Sequence, residues 1–138
     1  MGNEITKYRG RSFVANDAYL RVAMLLAAIR VKATGESALT SIADDWLAQS
    51  THCFGFGPVF GFDEVIQSAS IHRTVLGAMR SALLSIQNRT SEFSIEELTT
   101  WSVGGSDVTY DKPISRHEVE NALERLVTLL VEGGFDES

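Results

Sequence analysis

One cysteine and two prolines stand among 138 residues. A lone cysteine makes no internal disulfide, which fits a reducing compartment, and the expected location is the cytoplasm. Two prolines and no low-complexity run speak against a long disordered tract. Long apolar runs are missing too. The longest, Val22 to Ile29, is too short to cross a bilayer, and the opening MGNEITKYRGRSF has no signal-peptide core. Met1-Gly2-Asn3-Glu4-Ile5-Thr6 fits a myristoylation pattern, but the pattern is short and no membrane partner is expected.

Catalytic signatures are also missing. The chain has no His-Glu-x-x-His, no Gly-x-Ser-x-Gly, no phosphate loop and no Cys-x-x-Cys. Gly55-Phe56-Gly57 begins like a dinucleotide fingerprint, but Phe60 replaces the third glycine and no strand pattern precedes it. His52, Cys53, His72 and His117 do not have zinc-ligand spacing. No metal, cofactor or catalytic residue is therefore expected, and the reading is non-enzymatic.

Charge is plentiful but uneven. The formal net charge is −6. Residues 1–35 hold six Lys/Arg against Glu4 and Asp17, while residues 36–138 hold six against sixteen acids. After Arg89, eleven acids face Lys112, Arg116 and Arg125. Such a surface repels nucleic acid and attracts basic proteins.

The patterning predicts an all-α, single-domain bundle of five or six helices over residues 1–138, with residues 1–12 as a flexible arm. A first helix runs from Asn16 or Asp17 to about Ala33, ended by Gly35, and its wide apolar side makes it central. A second runs from about Ser37 to Gln49, with Leu39, Ile42, Ala43, Trp46 and Leu47 on one stripe. A third region spans about Asp63 to Asn88, either one helix or two broken near Ser68–Ser70. Ser94-Ile95-Glu96-Glu97 and Ser115-Arg116-His117-Glu118 are capping boxes. Phe93/Leu98 and Ile114/Val119 are their hydrophobic staples.

Two segments interrupt the helices. Residues 51–62 combine four Phe and three Gly with no formal charge. This Phe/Gly-rich loop either crosses the core beneath Trp46 or presents an aromatic surface. Residues 102–113 form a turn-rich connector with at most a short hairpin.

The favoured function is a protein-binding module for a basic partner. Its most concrete form is an acidic immunity-type protein that binds and neutralises a basic toxin such as a nuclease. The expected contact residues are Asp44, Asp45, Phe54, Phe56, Phe60, Glu120 and Glu124, since aromatic anchors and complementary charge drive such interfaces. The alternatives are a small-ligand-binding or enzymatic helical domain with a pocket lined by residues 51–62, and a homo-oligomer with the Phe-rich segment at its seam.

Overall fold

The computed structural model describes residues 3–51, 60–101 and 112–134. Its described part is mostly helical, with one small sheet. Strands β1 (Asn3–Tyr8) and β2 (Arg11–Asn16) precede helices α1 (Asp17–Ala33), α2 (Ser37–Thr51), α3 (Phe62–Val65), α4 (Ala69–Gln87), α5 (Ile95–Trp101) and α6 (Arg116–Glu132).

The strands correct the all-α expectation and the flexible arm. They form an antiparallel hairpin in which Tyr8 pairs with Arg11 and Ile5 with Val14. The two turn residues, Arg9 and Gly10, have φ of 50° and 81°. Positive φ at both positions is the signature of a type I′ turn, whose twist matches the flanking strands. Arginine is an unusual choice there, and the left-handed conformation costs a non-glycine residue about 1–2 kcal/mol. Distant contacts offset that cost. The Arg9 backbone N–H donates to Asp63 Oδ1 at 2.9 Å, and its guanidinium donates to the Gly133 carbonyl at 3.1 Å.

Helix α1 is the centre of the structure. The side chain of Asn16 caps its first turn, accepting from the Ala18 N–H. Leu20, Val22, Ala23, Met24, Ala27 and Ala28 are all buried, so most of the circumference is covered. Helices α2, α4 and α6 all pack on it. The chain leaves α1 through Gly35, with φ of 74°. The third region is two helices: α3 stops at Ile66, and Ser68 caps α4 by accepting from the Ile71 N–H at 3.2 Å.

Both serine caps form. Ser94 accepts from the Glu97 N–H at 3.1 Å, and Ser115 from the Glu118 N–H at 3.3 Å. The staple residues Phe93 and Ile114 do more than cover their own helices. They pair with each other through two backbone hydrogen bonds of 3.0 and 2.9 Å, and both are buried. Arg89 organises the adjoining corner. Its guanidinium grips both carboxylate oxygens of Glu97, donates to the carbonyls of Ser91 and Glu92, and lies 4.1 Å from the Phe93 ring centroid. The hydrogen bonds from Arg89 hold the Glu97 carboxyl below its ordinary value of 4.5, against partial burial, and the Arg89 charge and the Ser94 backbone N–H add to the effect.

The turn end of the hairpin docks against the C-terminal end of α6. Tyr8 is fully buried, stacked on His72 at 6.1 Å and edge-on to Phe62 at 6.4 Å. His72 Nε2 donates to the Leu130 carbonyl at 2.8 Å. Burial pushes the Tyr8 phenol above its usual value, and the neighbouring Arg9 charge works the other way. Gly133 lies directly under the Tyr8 ring, where a Cβ would sit 2.8 Å from Tyr8 Cδ2.

Two stability predictions follow from this packing. Gly133→Ala should cost about 1–3 kcal/mol through overpacking against Tyr8. Gly77→Ala, inside α4 with open space around it, should instead gain about 0.5–1 kcal/mol. Urea denaturation of the two variants reads both, and equal effects would refute the Tyr8 contact. For Glu97→Gln, the wild type should be the more stable at neutral pH. Because the folded carboxyl is lowered, that advantage is present above about pH 4.5 and fades as pH falls through the lowered value. Denaturation midpoints at pH 7, 4.5 and 3 check the trend.

Candidate functional site

The expected contact residues do not come together. Asp44 and Asp45 are exposed on α2, where Asp44 pairs with Lys32 at 3.0 Å across a solvated gap. Such an exposed pair contributes little. Glu120 and Glu124 lie on α6, a different helix. Glu124 is exposed, but Glu120 is an internal partner: its carboxylate receives Arg116 at 2.9 Å, with 18 % of the side chain exposed. Arg116 also donates to the Ile86 carbonyl at 3.3 Å. The expected acidic face of two stacked glutamates is therefore half neutralised.

Phe60 is corrected more sharply. It is only 4 % exposed and cannot be an aromatic contact surface. Its carbonyl accepts from Trp46 Nε1 at 2.7 Å, and Phe62 meets the Trp46 ring edge-on at 5.5 Å. This end of the Phe/Gly segment enters the core beneath Trp46. Phe54, Phe56, His52 and Cys53 lie outside the described residues, as does residue 102–111 of the connector. His72 is buried and hydrogen-bonded, while His117 is exposed on α6. Among the described residues, no three His, Cys, Asp or Glu are placed to hold a metal, and no helix is long and apolar enough to cross a membrane.

The sequence also counted Arg21 in a basic N-terminal surplus. Arg21 is buried and donates to the Gln49 carbonyl at 2.8 Å in the last turn of α2. The last turn of a helix is the negative end of its dipole, so the guanidinium is favourably placed there.

The feature that sequence reasoning missed is an edge of the hairpin that is uncovered among the described residues. In a two-residue turn the closing pair, here Tyr8 and Arg11, exchanges backbone hydrogen bonds. Pairs then alternate along the ladder. Glu4, Thr6 and Tyr8 bond inward to β2, while Ile5 and Lys7 turn their N–H and C=O away from it. On β2 the same alternation turns Val14 outward, and Arg125 occupies that edge by donating to the Val14 carbonyl at 2.7 Å. The Arg125 guanidinium also sits 4.7 Å from the Phe13 ring centroid. The β2 edge is thus covered by α6. The β1 edge has no such cover among the described residues.

A groove of about 250 Å³ runs along that edge, between Glu4–Lys7 on one side and Phe60–Glu64 on the other. Its charged lining is Glu4, Asp63 and Glu64 against Lys7 alone. The outer face of the hairpin carries a small apolar pair, Ile5 and Val14, which are 60 % and 46 % exposed and directly opposite each other. A second groove of about 450 Å³ lies between β2 and α6, with Arg11, Arg125, Glu124 and Glu132 on its walls.

Comparison with protein-family models, curated proteins and solved structures gives no match for this chain.

The alternation of bonded and outward amides has a direct signature. In the free protein, the amides of Ile5 and Lys7 should exchange with solvent roughly tenfold or more faster than those of Thr6 and Tyr8. Residue-resolved hydrogen exchange by NMR measures this. Equal protection at all four would mean that the β1 edge is covered.

Proposed function

We propose that this chain is a non-enzymatic protein-binding module for a basic partner. One observation carries the reading. In the acid-rich stretch after Asn88, the three arginines are each engaged by groups of the protein itself, Arg89 and Arg116 half-buried and Arg125 at the surface. Arg89 is engaged by Glu97 and two carbonyls, Arg116 by Glu120 and the Ile86 carbonyl, and Arg125 by the Val14 carbonyl. Among the described residues of this stretch, the exposed carboxylates of Glu92, Glu96, Glu124 and Glu132 outnumber the exposed cations Lys112 and Arg125, although Glu132 also meets Arg11 at 3.9 Å. A field of one sign speeds encounter with a partner of the opposite sign and fixes its orientation.

The most concrete form of this module is an acidic immunity-type protein that binds and neutralises a basic toxin such as a nuclease. The second reading, a small-ligand or enzymatic domain with a pocket lined by residues 51–62, draws on the groove at Phe60–Phe62. Its walls mix Glu4, Lys7, Asp63 and Glu64 with Ile5, Phe60 and Phe62, whereas small-molecule pockets are mostly apolar.

Affinity capture from the source cell at low salt should recover a basic protein, with the product of an adjacent gene as the first suspect. Co-expression with that protein should protect cells from it. The association rate should fall several-fold in Glu124→Lys and again as salt rises. A recovered partner whose association is indifferent to both changes would overturn the charge-driven reading.

A further inference from the structure

The β1 edge, uncovered among the described residues, and its acidic groove suggest how a basic partner would be held. We propose that β1 receives an extended, basic segment of the partner as a third, added strand. This rests on the reading above and specifies its binding mode.

Three features of the edge support it. First, Ile5 and Lys7 offer outward N–H and C=O groups, the main-chain template that strand addition uses. Second, the groove beside them is flanked by residues 60–64, so a segment laid on this edge would run past the carboxylates of Asp63 and Glu64. Third, the walls select by charge and by face. An added strand alternates its side chains. One set would extend the exposed Ile5–Val14 row and favours Val or Ile. The other set would enter the groove among Glu4, Asp63 and Glu64 and favours Lys or Arg.

A second copy of this chain fits the edge less well. It would bring the acidic wall of one molecule against that of the other, and like charges at close range are unfavourable. Lys7 fits the same pattern, since a charge on an open edge discourages indiscriminate pairing.

The probe is a synthetic peptide of alternating Val and Lys, seven residues long, acetylated and amidated. Its controls carry the same side chains but are N-methylated on every backbone nitrogen, which closes both edges of the strand to pairing without touching the protein. Added at low salt to the isotopically labelled full chain, the parent peptide should slow amide exchange at Ile5 and Lys7 by roughly tenfold or more. Thr6 and Tyr8 should change little, and the methylated peptides should not protect the edge. Glu64→Lys, an exposed substitution outside the core, should weaken the parent peptide several-fold.

Three results would overturn the proposal. Equal binding of parent and methylated peptides would leave a generally acidic surface and no added strand. Absence of binding by either would remove the edge as a receptor. Protection of Ile5 and Lys7 that grows with protein concentration and without peptide would assign the edge to a second copy. The first of these leaves the basic-partner reading intact, so the two fail separately.

Discussion

The contact between the Tyr8 ring and Gly133 is the constraint on which the rest depends. A side chain at Gly133 would occupy space that the ring already fills. With the ring in place, His72 stacks on it from α4 and Phe62 meets it from α3. Arg9 then reaches both Asp63 and Gly133. A two-stranded hairpin is marginal by itself in water. This one is ordered because one aromatic side chain fastens it to three helices. The orientation of β1, and so the groove beside it, is inherited from that attachment.

A second organising point lies at the opposite kind of junction. Arg89 gathers a carboxylate, two carbonyls and an aromatic face into one corner. The paired oxygens of a carboxylate match the guanidinium fork, which a lysine would not reproduce. The corner sets the entry into α5, while Phe93 ties that entry to Ile114 and the start of α6. Two helix starts far apart in sequence are thereby fixed as one unit.

The helices were legible because their signals are local. Asn16, Ser94 and Ser115 each cap within their own turn, and Gly35 ends α1 by its own conformation. The hairpin was not legible, because an Arg-Gly turn is weak in isolation and is completed by Asp63 and Gly133, 54 and 124 residues away. The candidate site shows the same division. Counting Glu120 with Glu124 as a charged face overlooked Arg116, one helical turn earlier, which neutralises the first of them. Phe60 and Phe62 had two readings that composition does not separate, and the Trp46 indole separates them. The β1 edge depends on ladder parity, which exists only once the turn position is known.

The Phe93–Ile114 bridge has a topological consequence. It brings the two ends of the 94–113 excursion together before any property of the excursion itself matters. Closing such a loop costs entropy that grows only with the logarithm of its length, about 0.6 kcal/mol for each doubling. The closure made by the Phe93–Ile114 pair is therefore nearly indifferent, in entropy, to how many residues lie between its two ends.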